Sequence, residues 1–505
     1  MSAADLLPLL VAVPLAFAGL TVLLRRHVVG ASLLVVTLVG VLVTSVVLIA
    51  RHASTPVLAS GVGGYPAGVA IPFVSDTLTA LMLAVTSLAT LATTAWLIMT
   101  GETRYRFVVP LVLLLVAGVN GALLTGDLFN LFVFIEVMLL PSYALLALTG
   151  GWRRLGVGRL FVVVNLVNSA VLLIGVAFVY GTAGTVNIAA LAGRGVQDDR
   201  TGLAVAMVLV ALAVKAGIVP VHTWLPRSYP ATSPGVMSLF AALHTKVALY
   251  AIYRIYSVVY DGQASWIGIV VVLAAVTAVV GAVSTLGEST FRHAMAYQMV
   301  AGVGHILIGV VVFTQASLAG GLLYLAHHVI TMAALLLTGG AIEHTYGSHR
   351  FDRLSRLMTR EPWAATVVAL GLLSLVGLPP TSGLWGKLLL IVGAAEAPGW
   401  QAWLLVGAIV LASIISIIAL QRLWSEIFWG PSMETYRTDN ARTRISEPVP
   451  LPDDVRIPAR MLAPGTAMIA VSVAIFVGIG LLSPVVDRAA AGLGDSTAYV
   501  EAVLR

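Results

Sequence analysis

Residues 209–221 read LVALAVKAGIVPV, and they set a lysine and two helix-breaking residues inside an apolar run long enough to cross a membrane. Proline removes a backbone donor and its ring clashes with the preceding turn, so Pro220 should interrupt the helix together with Gly217. A break at membrane depth survives only where protein or water satisfies the freed backbone groups. The stretch therefore predicts a discontinuous membrane helix with Lys215 beside its break.

A second stretch has the same chemistry. Residues 377–383 read GLPPTSG within the apolar run 364–395, and Lys387 follows the break. The two breaks are five predicted helices apart, and an odd offset gives two copies of a unit opposite orientations, as in inverted-repeat transporters. We predict two inverted five-helix repeats, about 107–258 and about 264–429, each with a broken fourth helix. Ordinary proline kinks are the alternative, which matched breaks beside lysines disfavour.

The composition is that of a polytopic membrane protein. The 505 residues are 59% hydrophobic and 10% charged, with a mean hydropathy of +1.00, too little charge for the surface of a soluble domain of this size. The net charge of +6 therefore reflects membrane topology, and we predict no nucleic-acid partner. Cysteine is absent, which excludes disulfides and cysteine-ligated iron–sulfur clusters in this chain, and we predict no cofactor.

Apolar runs of roughly 20 residues, the length of a transmembrane helix, number about fourteen. The predicted fold class is an all-α membrane protein, one polytopic domain over residues 1–505. The runs lie near 6–24, 28–50, 75–99, 107–124, 128–149, 158–181, 202–221, 234–258, 264–286, 294–314, 317–341, 364–395, 401–429 and 464–484.

The arginines predict the orientation. Most lie in connections that follow odd-numbered helices, such as 104–106 and 350–360, and in the proline-rich segment 430–463. By the positive-inside rule these connections face the cytoplasm, so both termini face outside. We predict that the protein lies in the cell membrane. We interpret Arg254 as a charge at a helix end. Asp76 and Asp127 open the third and fifth helices, where the helix dipole favours anions.

The chain has 28 basic residues, of which three are lysines, and all three fall inside predicted spans: Lys215, Lys246 and Lys387. Lysine can lose its proton when it is buried, whereas arginine stays charged. Glu136 also lies in the middle of a span. Ionisable groups at membrane depth are costly and indicate function by default. Together these four side chains predict a proton path.

Histidines extend this set. His244 precedes Lys246 by two residues, which places the two on different sides of a helix, and His327 and His328 are adjacent in another span. Imidazole titrates near neutral pH and relays protons through either nitrogen; the alternative is that each is a hydrogen-bonded packing residue. No ligand spacing for a metal is present. Polar residues that could hold water between these groups are Asn130, Asn165, Asn168, Thr245, Gln298 and Ser374.

Four segments that carry these residues resemble the antiporter-like subunits of respiratory complex I and of multisubunit (Mrp-type) monovalent cation/proton antiporters. They read TGDLFNLFVFIEVMLLPSYALLAL (125–148), VKAGIVPVHTWLPRSYPATSPGVMSLFAALHTKVALYAIYR (214–254), FRHAMAYQMVAGVGHILIG (291–309) and GLPPTSGLWGK (377–387). The first segment most resembles the D-type subunits of those antiporters.

The resemblance implies two half-channels joined by a central polar axis. It makes Glu136 and Lys215 the ion pair of the first half-channel, Lys246 the central relay and Lys387 the station of the second. A fixed structural pair between Glu136 and Lys215 is the alternative. Many relatives carry a lysine near Met332, and we expect His327 or His328 to replace it here.

The favoured function is the proton-translocating subunit of a multisubunit Na⁺/H⁺ antiporter, a secondary transporter subunit and not an enzyme. Its partners would be other antiporter subunits, membrane lipid, H⁺ and Na⁺. The chain lacks the cluster of hard oxygen ligands that a sodium site needs, so sodium should pass outside it or at an interface. One alternative is a proton-pumping subunit of a redox-driven complex such as complex I or a membrane hydrogenase. Another is a scaffold that conducts nothing.

Overall fold

The computed structural model describes residues 4–24, 26–65, 68–148, 152–436 and 448–505. Within them, eleven helices are long and apolar enough to cross a membrane, or twelve if one bent pair counts as a single span. Three shorter apolar helices lie where the sequence predicts other spans. The prediction of an all-α membrane protein with broken helices is confirmed, while the exact number of spans stays a prediction.

The helices of the first half and one hairpin are bounded as follows. They are α1 (Leu9–Leu24), α2 (His27–Arg51), β1 (Val57–Gly61), β2 (Pro72–Asp76), α3 (Thr77–Met99), α4 (Val108–Leu124), α5 (Leu128–Leu148), α6 (Trp152–Ala183), α7 (Arg194–Gln197), α8 (Asp199–Ala216), α9 (Trp224–Ser228) and α10 (Pro234–Tyr260). Strands β1 and β2 pair antiparallel, with Val57 opposite Asp76.

The second half continues with shorter connections. Its elements are α11 (Ile267–Leu286), α12 (Phe291–Val312), α13 (Gln315–Tyr346), α14 (Leu357–Arg360), α15 (Pro362–Val376), α16 (Gly383–Ala395), α17 (Trp400–Phe428), β3 (Thr435–Tyr436), β4 (Val449–Pro450), α18 (Ala459–Val477), α19 (Ile479–Gly494) and α20 (Thr497–Leu504). Strands β3 and β4 pair antiparallel.

Two long helices form the centre of the bundle. The membrane-length windows of α10 and α13 are buried over their whole length, and the two helices pack against each other. Helix α10 also contacts α3 and α8, while α13 also contacts α15, α16 and α18. A polar side chain on either helix is therefore surrounded by protein and shielded from lipid.

The β1–β2 hairpin gathers both chain ends at one end of the bundle. Helix α20 and the turn Ala4–Leu6 both pack on β1. We call this end the terminal face. The sequence predicts that it faces outside.

Both predicted helix breaks are confirmed. Helix α8 ends at Ala216, where Gly217 has φ +82°, and the chain continues at a bend of 44°. Helix α15 ends at Val376, where Gly377 has φ +93°. Positive φ values favour glycine because it lacks a Cβ. Each break also contains a cis bond before its proline. The inverted-repeat relation of the two surrounding units stays a prediction.

The C-terminal region differs from the prediction of one helix over 464–484. Helix α18 begins earlier and ends at Val477, and α19 starts two residues later and continues to Gly494. Gly478 ends α18, its N–H bonded to the Ala474 carbonyl at 2.8 Å. Hydropathy alone runs across such a junction. The predicted connection 430–463 is therefore shorter, and its residues 437–447 lie outside the described residues.

Candidate proton-transfer site

The first broken helix and its neighbour α6 bring two predicted site residues near each other. Lys215 lies in the last turn of α8 and is 2% exposed. Its Nζ donates to Oδ1 of Asn165 on α6 at 3.5 Å. Glu136 on α5 accepts a hydrogen bond from the Ser169 hydroxyl, also on α6. Asn165 and Ser169 are four residues apart, so they share one face of α6.

Glu136 and Lys215 are thus each hydrogen-bonded to a side chain of α6 and not to each other. Among the described residues, no ion pair within 4.0 Å joins them. The direct ion pair that the resemblance implies is therefore not formed. Helices α5 and α8 each pack against α6, and the polar side chains of α6 bond to Glu136 and Lys215 in place of the direct pair. The two charges still interact electrostatically.

Protein groups satisfy the backbone at the first break, as a buried break requires. The Trp224 indole N–H donates to the Val214 carbonyl at 3.0 Å. The Val219 N–H donates to the Thr277 hydroxyl on α11 at 3.1 Å. One turn before Lys215, the Asn168 amide donates to the Ala211 carbonyl at 3.0 Å. The break is thus held by α6 and by the first helix of the second predicted repeat.

His244 and Lys246 leave α10 on different sides, as their spacing predicts. His244 Nε2 lies 2.8 Å from the Ser142 hydroxyl on α5, and the ring stacks on Phe240 at 4.6 Å. The His244 ring is close enough to Lys215 for the two side chains to interact electrostatically. Lys246 is fully buried, and its Nζ donates to Thr245 Oγ1 at 3.1 Å. His244 therefore faces α5, and Lys246 points to a different side of α10.

The adjacent histidines of α13 also face different ways. His328 lies within electrostatic range of Lys246, and its Nε2 is 3.4 Å from the Gln298 carbonyl on α12. A Cβ at Gly302 would overlap the His328 ring, so this glycine allows the close approach. His327 Nδ1 lies 3.0 Å from the Ser382 hydroxyl in the second break. His327 is within electrostatic range of Lys387.

Each of these two rings keeps one nitrogen available. His327 Nε2 and His328 Nδ1 are buried and find no partner within the part of the chain that the structure describes. Imidazole moves a proton by accepting it at one nitrogen and releasing it from the other. His328 thus interacts with Lys246 and His327 with Lys387, while the expected replacement of the relatives' lysine near Met332 stays a prediction.

Lys387 closes the second break. Its Nζ donates to the Val376 carbonyl at 2.7 Å and to the Ser413 hydroxyl on α17 at 2.8 Å. Val376 is the last residue of α15, whose C-terminal carbonyls carry partial negative charge. The ammonium therefore compensates the end of the broken helix. A Cβ on Gly377 would lie 2.6 Å from Cδ of Lys387.

Replacing Gly377 by alanine should slow transport at least about tenfold, because the new methyl pushes the lysine from its carbonyl. Gly184→Ala is the matched control: Gly184 also has positive φ, but a Cβ there meets nothing within 4 Å. Both changes carry a similar backbone cost of about 1–2 kcal/mol. The measurement is ion transport by the purified whole complex. Equal effects of the two changes would contradict the role given to Lys387.

Sequence reasoning missed several contributors. Ser142, Ser169 and Ser382 bond to site residues. The spacing of Ser169 from Asn165 was a usable signal. The interpretation of Arg254 as a helix-end charge is wrong, because this side chain is buried in α10 and paired with Asp76 at 2.5 Å. Its partner precedes α3, and nothing in one sequence links positions that far apart.

The sequence and the structure both match known proteins. Residues 125–416 match the family described as NADH:quinone oxidoreductase/Mrp antiporter, TM. The D-type Na⁺/H⁺ antiporter subunit of Bacillus subtilis (strain 168) is 32% identical over 507 residues, covering 99% of this chain and 98% of that one. The family match spans all seven predicted proton-path residues, from Glu136 to Lys387.

Two solved structures are similar over nearly the whole chain. One is a chain of the Mrp complex from Dietzia sp. DQ12-45-1b, with a TM-score of 0.94 and 40% identity over 100% of both chains. The other is a chain of the membrane-bound sulfane sulfur reductase, an archaeal respiratory membrane complex. It has a TM-score of 0.85 and 24% identity over 99% of this chain and 100% of that one, a likeness in fold alone.

Proposed function

Since the chain belongs to the NADH:quinone oxidoreductase/Mrp antiporter transmembrane family, we propose that it is the proton-translocating subunit of a multisubunit Na⁺/H⁺ antiporter in the cell membrane. The name of the Bacillus subtilis relative and the Mrp complex of the Dietzia structure support this assignment, each over nearly the full length of both chains. The observation that carries it is the series of buried lysines and histidines on α8, α10, α13 and α16, with the half-buried Glu136 on α5.

The proposed route begins at Glu136 and reaches Lys215 through water held by Ser169 and Asn165, because an amide side chain does not itself take up and release a proton. Lys215 then exchanges its proton with His244, which its charge already influences. A proton moves along groups and waters about 3 Å apart. Lys215 lies 3.5 Å from Asn165, and His244 lies 2.8 Å from the Ser142 hydroxyl on α5. Water would occupy the remaining gaps.

The second part of the route uses the central helices. Lys246 passes the proton to His328 on α13, and His327 passes it to Lys387 at the second break. An ammonium has three donors, and Thr245 is the acceptor found for Lys246 in the described structure. The remaining donors suit water molecules that would lead toward His328.

The absence of a direct bond between Glu136 and Lys215 in the described structure favours a mobile pair over a fixed one. A direct ion pair would hold the lysine ammonium in one position. Lys215 instead has one long contact, at 3.5 Å, and lies beside a glycine that ends its helix. A small movement of this turn could bring its ammonium toward Glu136 or toward His244. We place the sodium route outside this chain or at its interface with another subunit.

The antiporter assignment is tested with everted membrane vesicles that contain the whole complex. We impose an acid interior by an ammonium gradient, add Na⁺, and follow a fluorescent ΔpH probe without any respiratory substrate. The expected result is a Na⁺-dependent loss of ΔpH that is absent when only this chain is deleted. Proton movement that instead requires NADH or another electron donor would favour the redox-driven alternative.

The scaffold alternative gives a different outcome. A scaffold would tolerate loss of its buried amines as long as the complex assembled. Variants that assemble fully yet transport nothing, which we expect at Lys215 and Lys246, are therefore incompatible with it.

A further inference from the structure

A cavity of about 270 Å³ lies at the terminal face, between the end of α2, the start of α3 and helices α19 and α20. Its wall includes Asp76, Thr77 and Tyr499. Asp76 caps α3, since its Oδ1 accepts the Thr79 N–H at 2.9 Å. The proton route described above does not use any of these residues.

Arg254 lies behind the carboxylate of Asp76. Its Nη2 donates to Asp76 Oδ2 at 2.5 Å, and the side chain is 3% exposed. Its Nε and Nη1 have no partner among the residues that the structure describes. The guanidinium also lies 4.6 Å from the ring centre of Tyr499, which lines the cavity. Burying a charged side chain is costly, so the buried position of Arg254 indicates a function.

A polar column leads from this pair toward the centre of the bundle. Arg254, Tyr250 and Lys246 are spaced four residues apart on α10 and share one face. Helical side chains lean toward the helix N-terminus, so Arg254 leans toward Tyr250 and Tyr250 toward Lys246. The Arg254 guanidinium lies 5.8 Å from the Tyr250 ring centre.

Hydrogen bonds continue this column from the cavity wall. The Tyr250 hydroxyl donates to the Leu123 carbonyl at 2.6 Å, so the Thr79 hydroxyl donates to Tyr250 at 2.7 Å. Thr79 is also the residue whose N–H binds Asp76. Contacts therefore run from the cavity through Asp76 and Thr79 to Tyr250, one helical turn from Lys246.

We propose that this cavity is the aqueous entrance, on the terminal face, of a proton route to Lys246, with Asp76 as the group that exchanges protons with cavity water. The inference rests on the proposed function. A proton moves from hydronium to Asp76, leaving water and a neutral carboxyl group that releases Arg254. The proton then passes by the Tyr250 hydroxyl and intervening water to the neutral amine of Lys246, which becomes ammonium. Asp76 is a carboxylate again and binds Arg254.

Arg254 is a positioning residue in this scheme. Arginine keeps its charge throughout, so it holds Asp76 ionised and in place between transfers. The ion pair closes the column to water while it is intact. The entrance therefore opens only when Asp76 accepts a proton, which prevents a continuous leak across the bundle.

The charge variants separate proton exchange from structural pairing. In the whole complex, Asp76→Asn should slow antiport at least about tenfold. Asp261→Asn, at an exposed carboxylate beside the end of α10 and outside the cavity, should stay within about twofold. The double variant Asp76→Asn with Arg254→Gln removes both buried charges together. It should assemble yet stay slow, because the exchanging carboxylate is gone.

A purely structural pair would give the opposite result, since removing both partners spares the unpaired charge. Recovery of antiport in the double variant would therefore overturn the proposal. If the complex lacking these charges fails to assemble, the proposal is tested instead by the accessibility of the cavity wall to a thiol reagent. The chain contains no cysteine, so Thr77→Cys introduces a single thiol into the cavity wall.

A membrane-impermeant charged thiol reagent is then added to the side that carries the terminal face. Labelling of Thr77→Cys with an at least fivefold loss of antiport is the expected result, while Thr79→Cys, behind Asp76, should not react. An unreactive Thr77→Cys would overturn the proposal. Failure of the proposed function is distinguishable, because antiport would then survive Lys215→Ala, whereas failure of this inference alone leaves that variant inactive.

Discussion

Replacing Lys215 by alanine is expected to reduce Na⁺-driven proton antiport by at least about 100-fold while the complex still assembles. Lys215 is the one amine at the first break, and the groups that surround it cannot take its place. Asn165 is an amide that does not titrate near neutral pH, and Glu136 lies across α6. The measurement is the Na⁺-dependent ΔpH change in everted vesicles, with co-purification of the other subunits as the assembly control.

Two further variants tell proton exchange from charge alone. Lys215→Arg keeps the positive charge but does not release it, so it should be nearly as inactive as the alanine variant. Glu136→Gln should also be strongly impaired, and the double variant with Lys215→Ala should lose little more, because residues that act as one unit are non-additive. Full antiport in Lys215→Arg would mean that the charge acts only as a fixed field.

Lys246→Met should have a similarly large effect, again at least about 100-fold. Lys246 is fully buried at the centre of α10, and every proposed transfer between the two halves passes through it. Methionine fills irregular core space with an unbranched apolar side chain, so packing should persist while the amine is removed. The same vesicle assay measures the loss.

Thr245→Val is the matched control for this change. It removes the acceptor 3.1 Å from the Lys246 ammonium and leaves the amine, so the effect should be about tenfold or less, the size of one hydrogen bond of about 1 kcal/mol. Antiport that survives Lys246→Met would show that protons cross between the halves without α10, and the proposed route would have to be redrawn.

The two broken helices were predictable because their cause is local. A glycine and a proline three residues later act on the backbone of their own segment, as at Gly217 and Pro220. The burial of the three lysines was predictable for the same reason, since each lies within a single apolar run. Whether a helix continues through an apolar stretch or ends at a glycine such as Gly478 depends on packing. The end of the last predicted helix was therefore wrong.

Contacts between helices were not predictable from one sequence. The separation of Glu136 from Lys215 depends on how α5 and α8 pack on α6, and only the spacing of Asn165 and Ser169 indicated that α6 could contact both. The pairing of Arg254 with Asp76 joins α10 to the end of a hairpin far back along the chain. A hydropathy pattern places such an arginine at the edge of a membrane span, because the pattern contains no information about a partner that is distant in the sequence.

The two neighbouring imidazoles of α13 have a mechanical consequence. Consecutive residues on an α-helix point about 100° apart, so His328 contacts Gln298 on α12 while His327 contacts Ser382 on a different side of α13. Both contacts are made from one helix, α13. A small rotation of α13 about its own axis would move both imidazole rings away from their partners at once. A partner protein that rotated α13 would therefore interrupt proton transfer without contacting any of the lysines.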